Sequence, residues 1–352
     1  MSEALPRVLH APVEIAGQAT LSALGLRELG VTATALTDEH VFAYPTRPDV
    51  VRPRLWPAFA TVALREALRH DVVHLHFGLS FLPAPLPPAL RVSDVRFLRR
   101  LGKRVVVEFL GSDVRMPSVE RARNPHYVDV EFEDDHRATA LMRAWASATR
   151  GHVIVADACL DASVGRHFDH IHHVGLRVDT RRFRPTPPSA TPEHAPVLVH
   201  APSHPRIKGT EHVRRAVREL GARGVAVEYV EVQGMRQEDA PRLFARAALV
   251  VDQLCIGAHG TFAVEAMSLA KPVVCYVLPE LLDAYPPDLP LITADPATIT
   301  DVLAHWLAPE RAAERQALGL ASRDYAEREH DVRVVARRLL EVYRSLPVRG
   351  GA

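Results

Sequence analysis

Short apolar runs alternate with amphipathic stretches through most of the chain, and this order predicts an α/β fold. In the N-terminal half, residues 7–12, 31–37, 71–77 and 104–109 have the apolar pattern of strands, and residues 18–29 have that of a helix. Strands joined by helices form parallel, doubly wound sheets, whose ligands lie beyond the carboxyl ends of the strands. Candidate binding residues are therefore those that directly follow a predicted strand.

The segment 249–274, LVVDQLCIGAHGTFAVEAMSLAKPVV, shows this strand–loop–helix order most clearly. Residues 249–254 predict a strand, residues 261–270 predict a helix, and a second apolar run follows. Gly257 and Gly260, in the loop, allow the backbone to come close to a ligand because they carry no side chain. The free N–H groups and the positive dipole end of the helix favour a bound anion.

Glu265 is the unusual residue of that predicted helix. It lies three residues after Phe262 and four before Leu269, on nearly the same face as these apolar residues and Ala266. A carboxylate on a buried face needs a partner, because burying an unpaired charge is costly. Two interpretations follow. Glu265 pairs with protein groups in the core, or it accepts hydrogen bonds from the hydroxyl groups of a ligand.

Residues 257–274, GxxGTFAVEAMSLAKPVV, resemble the C-terminal signature of the retaining glycosyltransferases of family 4, which have the GT-B fold. The resemblance implies two Rossmann-like, doubly wound domains that face a cleft. It also implies that Glu265 binds the ribose of a nucleotide-sugar donor. The family usually has a second glutamate eight residues earlier, in contact with the donor sugar, and this chain has Gly257 there.

A cation and a glycine follow the first predicted strand of the C-terminal half. Lys208, Gly209 and Thr210 are predicted to open a helix. A cation beside free backbone N–H groups suits a diphosphate, although a surface lysine at a helix start is also common. The resemblance implies that Lys208 and Gly209 bind the donor diphosphate.

Further donor contacts are expected from the resemblance alone. Gln233 and Gly234 lie near the turn that binds the base in the family. Ser203 stands where the family usually has an arginine, and Arg206 is close enough in sequence to replace it. The complete predicted donor-binding set is Gly17, Ser203, Arg206, Lys208, Gly209, Gln233, Gly234, Gly257, His259, Gly260, Thr261, Phe262 and Glu265.

Two loops of the N-terminal half also follow predicted strands. Gly17 is explained equally well as an ordinary turn glycine, whereas the resemblance implies a glycine loop against the donor phosphates. The Gly-Ser-Asp turn at residues 111–113 either caps a helix or brings Asp113 to the cleft. The family commonly has a histidine directly before this turn, and this chain has Leu110. The predicted acceptor-side residues are His76, Gly111, Ser112, Asp113 and Arg115.

His74 and His76 lie on the same face of the predicted strand at residues 71–77. Paired histidines suggest a metal site, but no third ligand with fitting spacing follows them. We therefore predict hydrogen-bonded structural roles for both histidines and no metal ion in the chain.

The length of 352 residues, with 47% hydrophobic and 24% charged residues, fits two globular domains. We predict an N-terminal, acceptor-side domain at residues 1–187 and a C-terminal, nucleotide-sugar donor-binding domain at residues 188–325. Residues 326–352 are predicted to form a helix that crosses back to the first domain. The boundary follows residues 175–185, GLRVDTRRFRP, which resemble the family's NGVDxxxFxP segment at the end of the first domain.

Net charge and cysteine count exclude several classes of protein. The formal charge of +1 offers no case for a nucleic-acid partner, and three scattered cysteines without a CxxC pair suggest neither a zinc site nor a disulfide framework. The chain lacks a signal-peptide core and a membrane-spanning apolar run, which predicts a cytoplasmic location. The basic residues of segment 96–104 form a solvated face, or a patch for anionic lipid at the inner membrane face or for a phosphorylated acceptor.

We predict a nucleotide-sugar-dependent glycosyltransferase of the hexosyltransferase type, in bacterial glycan or glycoconjugate biosynthesis. The donor is a UDP- or GDP-sugar cosubstrate, no cofactor is needed, and the acceptor is a glycan, a lipid-linked molecule or a small molecule. Asp113, Lys208 and Glu265 are the predicted catalytic residues. Retention follows from the resemblance, and no metal is expected because a cation and helix N-termini stabilise the departing diphosphate.

Three alternatives stay open. An inverting route would need a base, for which Asp113 and His76 are the candidates. A sugar-nucleotide epimerase has the same architecture and needs no acceptor. A catalytically degenerate nucleotide-sugar-binding protein is the third, because a fold does not determine an activity.

Overall fold

The computed structural model describes residues 5–38, 46–83, 85–131, 133–185, 195–232 and 240–348, with only the backbone at residues 240–242. Its packing divides the chain into two compact units. The first unit comprises Met1–Val119, Glu131–Arg177 and Val332–Ala352, and the second comprises Glu120–Val130 and Val178–Asp331. The domain boundaries at residues 187 and 325 stay predictions, and the units change over at other residues.

The strands form two parallel sheets, one in each unit. They are β1 (Val8–Ala11), β2 (Ala33–Thr37), β3 (Val50–Val51), β4 (Val72–His76), β5 (Arg104–Phe109), β6 (His152–Val155), β7 (His170–His173), β8 (Val197–His200), β9 (Glu228–Glu231), β10 (Leu249–Val251), β11 (Val273–Cys275) and β12 (Leu291–Thr293). The order in the first sheet is β3-β2-β1-β4-β5-β6-β7, and that in the second is β12-β11-β10-β8-β9. The predicted class, α/β with doubly wound parallel sheets, is confirmed.

Helices connect most consecutive strands, as parallel pairing requires. They are α1 (Gln18–Glu28), α2 (Trp56–Arg69), α3 (Pro88–Arg91), α4 (Ser93–Arg100), α5 (Pro117–Arg123), α6 (Asp135–Thr149), α7 (Asp161–Val164), α8 (Pro205–Lys208), α9 (Thr210–Ala222), α10 (Ala240–Ala245), α11 (Thr261–Ser268), α12 (Pro279–Leu282), α13 (Ile299–Leu307), α14 (Ala312–Glu329) and α15 (Val332–Ser345). Short 3-10 turns lie at Ala158–Leu160 and Pro309–Arg311.

Alternate residues of the first sheet face two different helical layers. Val72 packs in a cluster with Leu339 of α15, which lies against α1. Val73, one residue later, belongs to the opposite cluster with Phe59 of α2 and Trp145 of α6. Side chains of β4 that share the face of Val72 therefore point toward the α1 and α15 layer.

Each sheet has one place where the strand order reverses. In the first sheet it lies between β1 and β4, and in the second between β8 and β10. The loops that leave the carboxyl ends of these neighbouring strands diverge, and the crevice between them is the usual ligand site of such sheets. These two switch points contain most of the residues that the sequence singles out.

Candidate functional site

At the switch point of the second sheet, one carboxylate joins two groups that the sequence assigns to a diphosphate. Lys208 Nζ lies 2.6 Å from Asp252 Oδ1, and the backbone N–H of Gly260 donates to Asp252 Oδ2 at 2.7 Å. The Asp252 side chain is fully buried, whereas 12% of the Lys208 side chain is exposed. Lys208 and Gly260 are therefore brought together, around an aspartate that sequence analysis did not single out.

The backbone around Lys208 explains the glycine at position 209. Lys208 ends the short helix α8, and Gly209 has a φ of 73° before α9 begins at Thr210. A Cβ at Gly209 would lie 2.9 Å from Leu254 Cβ, so both the backbone and the space require glycine. The predicted helix thus begins at Thr210, while Lys208 lies at the carboxyl end of the preceding turn.

The backbone requires glycine at position 257, where the resemblance to family 4 leads one to expect a glutamate. The φ of Gly257 is 86°, and a Cβ there would lie 2.6 Å from Leu278 Cγ. The Leu278 N–H also donates to the Gly257 carbonyl at 2.9 Å, which fixes this approach. A glutamate at position 257 is incompatible with this backbone, so the donor-sugar contact known in the family is not available from this position.

Asn124, from the segment that joins the second unit, holds the same loop. Its Nδ2 donates to the Cys255 carbonyl at 3.0 Å and to the Ile256 carbonyl at 3.2 Å. Its Oδ1 accepts from the His126 N–H, which orients the amide. The loop between β10 and α11 is therefore fixed on both sides of Ile256, and the sequence contained no signal for this long-range contact.

Half of the predicted donor residues of α11 and its preceding loop are buried, and the other half are half-buried. Glu265 is 8% exposed and His259 is 5% exposed. The His259 ring lies 5.1 Å from Tyr285, and the Phe262 ring lies 5.0 Å from Phe244. Thr261 is the first residue of α11. The ribose-binding role of Glu265 stays a prediction.

The remaining predicted donor residues are more peripheral. Ser203 is exposed in the loop after β8, and Arg206 is exposed on α8. Gln233 and Gly234 lie outside the described residues. Their roles stay predictions.

Asp113 follows β5 and organises its own turn. Its Oδ1 accepts from the backbone N–H groups of Leu110 at 3.1 Å and Gly111 at 2.9 Å. Burial raises the pKa of the Asp113 carboxyl to about 7, against these hydrogen bonds and the charge of Arg115, which lower it. A carboxylate with this pKa is matched to proton transfer near neutral pH.

The other predicted acceptor-side residues differ in exposure. Gly111 has a φ of 131°, and a Cβ there would lie 2.9 Å from Arg115 Nη2. Arg115 Nη1 donates to Glu133 Oε1 at 2.7 Å in a largely buried ion pair. Ser112 is partly exposed, whereas His76 has no exposed surface. Gly111, Ser112 and Arg115 lie together in the loop after β5. His76 is the last residue of β4 and is fully buried.

Gly17 precedes α1 with a φ of 77°, which explains glycine without a ligand. The N–H groups in the first turn of this helix donate to the chain's own carboxylate. Glu14 accepts from the N–H of Ala19 at 3.2 Å and from that of Thr20 at 3.0 Å. Burial raises the pKa of Glu14, and these hydrogen bonds oppose the shift. The predicted phosphate contact of Gly17 stays a prediction.

His74 and His76 belong to a polar cluster at the switch point of the first sheet. His74 Nε2 and His76 Nδ1 lie 3.2 Å and 3.0 Å from Glu108 Oε2, and His10 Nδ1 lies 3.0 Å from His76 Nε2. Arg177 donates to the other oxygen of Glu108. All five side chains are fully buried. Sequence analysis found two of these residues and missed the other three.

The charges of this cluster are set by burial and by Arg177. Burial lowers the pKa of His74 to about 3, and His76 adds to the effect. Burial opposes ionisation of Glu108, but the guanidinium of Arg177 and the two histidines bring its pKa well below the usual value. Glu108 is therefore an anion and His74 is neutral near neutral pH.

A surface pocket of about 300 Å³ in the first unit is lined by arginines. Arg96, Arg99 and Arg100 of the predicted basic segment contribute to it, together with Arg150 after α6. Burial and the nearby Arg150 lower the pKa of Arg99. This concentration of positive charge favours an anionic ligand or surface.

None of the described helices is both long enough and apolar enough to cross a membrane. In sequence comparisons, the chain matches no family model and no curated protein.

Comparison with solved structures shows the fold. The chain is similar to sucrose-phosphate synthase from Thermosynechococcus elongatus, with a TM-score of 0.66 and 14% identity over 97% of this chain and 99% of that one. It is also similar to Anabaena HepE in complex with UDP-glucose, with a TM-score of 0.61 and 14% identity over 97% and 100%. A glycosyltransferase from Rickettsia africae has a TM-score of 0.59 and 11% identity over 96% and 97%. The predicted GT-B fold is confirmed.

Proposed function

We propose that this GT-B chain is a glycosyltransferase that uses a nucleoside-diphosphate sugar, with retention and without a metal ion at the diphosphate. The observation that carries the proposal is the meeting of Lys208, Asp252 and Gly260 at the switch point of the second sheet. The HepE structure contains UDP-glucose, so a UDP-sugar is the first donor to test, followed by a GDP-sugar.

Lys208 supplies the charge that the reaction needs. Transfer forms a bond between the acceptor oxygen and the anomeric carbon and breaks the bond between that carbon and a phosphate oxygen, whose electron pair leaves with the nucleoside diphosphate. An ammonium group has three N–H donors, and Asp252 takes one of them. The other two are available for the departing diphosphate, whose growing negative charge they stabilise more in the transition state than in the bound donor.

Asp252 acts as a positioning residue in this scheme. Its two oxygens fix Lys208 Nζ and the Gly260 N–H at the start of α11. A long lysine side chain loses conformational freedom when it is held, and this cost is met before the donor arrives. Glu265 of α11 then binds the ribose hydroxyls.

Asp113 is the acceptor-side residue of the proposal. Its carboxyl lies in a partly exposed loop, where it accepts a hydrogen bond from the acceptor hydroxyl and positions it, and in the retaining route the hydroxyl proton leaves on the oxygen of the departing diphosphate. His76, another predicted acceptor-side residue, is 0% exposed. We therefore favour Asp113, and the acceptor is a hydroxyl of a glycan, a lipid-linked molecule or a small molecule.

The proposal is tested by incubating the chain with UDP- and GDP-sugars and separating the products. We expect release of the nucleoside diphosphate and formation of a glycoside with the donor's anomeric configuration, both unchanged by a chelator. Full dependence on added Mg²⁺ or Mn²⁺ contradicts the metal-free route at the diphosphate. A donor epimerised without acceptor supports the epimerase, and binding without any turnover supports the degenerate binder.

We further propose that the α2 and α4 face of the first unit contacts an anionic lipid surface. Leu64 and Leu68 on α2, with Phe97 and Leu101 in and after α4, are between 42% and 48% exposed. Lys103 Nζ donates to the Leu68 carbonyl at 2.8 Å, which joins the ends of the two helices.

Charge complementarity supports a lipid surface as the partner of this apolar face. The arginine-lined pocket of α4 and α6 lies on the same side of the sheet, and basic residues beside exposed apolar ones are typical of interfacial contact. Co-sedimentation should therefore show binding to anionic vesicles that weakens with salt, and little binding to neutral vesicles.

A double variant, Phe97→Ser with Leu101→Ser, should lose this binding. Leu320→Ser, which removes an exposed leucine from α14, is the matched control and should keep it. Equal sedimentation with neutral vesicles, or none with anionic ones, contradicts the lipid contact.

A further inference from the structure

The buried cluster of the first unit brings four polar side chains to one point through strand register. His10 of β1 pairs with His74 of β4, and His76 of β4 pairs with Glu108 of β5. All four share the sheet face of Val72 and point toward the α1 and α15 layer. They lie at the carboxyl ends of the strands, beside the switch point.

Three polar atoms of this cluster lie close together and lack well-formed hydrogen bonds. Glu108 Oε2 lies 3.2 Å from His74 Nε2 and 3.0 Å from His76 Nδ1. These distances are short enough for contact, yet none of the three atoms makes a hydrogen bond of acceptable geometry to a described residue. Buried polar atoms almost always have a partner, and a group of three without one indicates a shared ion or water.

The opposite atom of each side chain is held by a protein group. His74 Nδ1 lies 2.8 Å from the Tyr343 hydroxyl, and His76 Nε2 lies 3.0 Å from His10 Nδ1. Arg177 donates to Glu108 Oε1. Outer contacts of this kind orient imidazole and carboxylate ligands toward a metal ion and select the ring nitrogen that binds it.

We propose that His74 Nε2, His76 Nδ1 and Glu108 Oε2 bind a transition-metal dication with a structural role. Two imidazoles and one carboxylate suit Zn²⁺ or another late first-row metal. Ligand atoms about 2.0–2.2 Å from one ion lie roughly 3 Å or a little more from each other. The distances from Glu108 Oε2 to the two ring nitrogens, 3.2 Å and 3.0 Å, are of this size. One ring nitrogen from each of His10, His74 and His76 also lies within 4.8 Å of the others.

The charges around the cluster are compatible with such an ion. Glu108 and Glu14 are the carboxylates that act on His76, and Arg177 is the guanidinium that acts on Glu108. The carboxylate of Glu108 favours a bound cation, and its second oxygen already accepts from Arg177. The ligands have no exposed surface, so the ion connects β4 to β5 and takes no part in the proposed transfer reaction.

The first test is the metal content of the full-length chain after it is refolded with Zn²⁺. We expect about one Zn²⁺ per chain and a higher unfolding temperature than for the chain refolded with a strong chelator. Glu108→Gln and His76→Gln should each lose the ion.

The chain contains a matched control for histidine content. His152 and His172 lie 3.1 Å apart between β6 and β7, and among the described residues they do not belong to a group of three possible metal ligands. His172→Gln should therefore keep the full metal content, and so should Lys208→Met in the second unit. Equal zinc in Glu108→Gln, His76→Gln and the wild-type chain overturns the ligand assignment.

The wild-type chain loaded with Co²⁺ gives a second measurement, which does not depend on whether any variant folds. Its d–d absorption should indicate nitrogen and oxygen ligands, and two histidines should show paramagnetically shifted ring signals in NMR. A wild-type chain that stays metal-free after refolding with Zn²⁺, Fe²⁺ or Co²⁺ overturns the proposal and assigns a buried water to the cluster.

Discussion

The two switch points occupy the same topological position and contain opposite kinds of chemistry. In the first sheet, His10, His74, His76 and Glu108 are fully buried beneath α15, whose Tyr343 closes the cluster. In the second sheet, a glycine-containing loop surrounds Lys208, whose side chain stays partly exposed. The same arrangement of parallel strands therefore supports an internal polar cluster in one unit and a partly exposed cation in the other. We attribute the difference to the elements that cover the strand ends, which are α15 in the first unit and the glycine-containing loop in the second.

The largest expected effect comes from removing the guanidinium charge that pairs with Glu108 in the buried cluster of the first unit. Arg177→Met leaves Glu108 as a buried anion without its guanidinium partner, and we expect a loss of about 3–5 kcal/mol in the free energy of unfolding. Urea denaturation followed by tryptophan fluorescence measures it in a Trp306→Phe background. Trp56 and Trp145, both in the first unit, then report alone.

Arg27→Met is the matched control for this variant. Arg27 pairs with Asp49 at 2.7 Å on the surface of the same unit, with 42% and 34% of the two side chains exposed. Exposed pairs of this kind contribute less than about 1 kcal/mol. Equal losses in Arg177→Met and Arg27→Met would show that the cluster is not the stabilising element described.

The loop of the second unit is tested by adding one methyl group. Gly257→Ala places a Cβ against Leu278 on a backbone with positive φ, and we expect a loss of about 2–4 kcal/mol. Gly221→Ala, in the helix α9 with open space around it, should instead stabilise by up to about 1 kcal/mol. Urea denaturation followed by circular dichroism compares the two. Wild-type stability of Gly257→Ala contradicts the packing described for this loop.

Asp113 allows a comparison of two carboxyl groups within the first unit. It lies five residues after the buried Glu108 and is itself partly exposed. Its folded-state pKa of about 7 is above the ordinary aspartate pKa of 3.8, so this carboxyl lowers the free energy of unfolding progressively as pH rises between these values. Asp113→Asn removes the effect. We expect it to stabilise the chain more at about pH 8 than at about pH 5, by on the order of 1–2 kcal/mol after solvent screening.

Asp71→Asn is the control, and it should change the free energy of unfolding in the opposite direction. A hydrogen bond from Arg7 lowers the pKa of Asp71 to about 2, so its contribution is complete above pH 4 and lost only as pH falls toward 2. This substitution should destabilise equally at both pH values. A flat difference for Asp113→Asn contradicts the raised pKa of that carboxyl.

The fold was predictable because alternating apolar and amphipathic segments determine a doubly wound sheet. Lys208 and Gly260 stood out in the sequence through local motifs, since Lys208 directly precedes Gly209 and Gly260 directly precedes the predicted helix that begins at Thr261, and their donor-binding roles stay predictions. Asp252 was not, because its role depends on a contact with Lys208 across 44 residues of sequence. The reason for glycine at position 257 is its close packing against Leu278, and the sequence alone does not show this contact.

Strand register accounts for the remaining misses. The sequence placed His74 and His76 on one face of a strand but contained no rule for which residues lie beside them. Glu108 and His10 come next to them only because β5 and β1 flank β4 in a particular register. A search for ligands at short sequence spacing therefore ended with two histidines. The structure adds a third histidine and a carboxylate.

The central claim is that Lys208 binds a nucleoside diphosphate through its phosphates, and titration calorimetry tests it most directly. UDP and uridine, or GDP and guanosine if these bind more tightly, are titrated into the wild-type chain, Lys208→Met and the control Lys271→Met. Lys271 donates to the Ala245 carbonyl in the same unit, away from Asp252. We predict that Lys208→Met weakens the diphosphate about 10- to 100-fold, as a charge-assisted contact of roughly 1.5–3 kcal/mol requires, and leaves the nucleoside unchanged. Equal diphosphate affinity in the wild-type chain and Lys208→Met, or no diphosphate binding by the wild-type chain, would contradict the account.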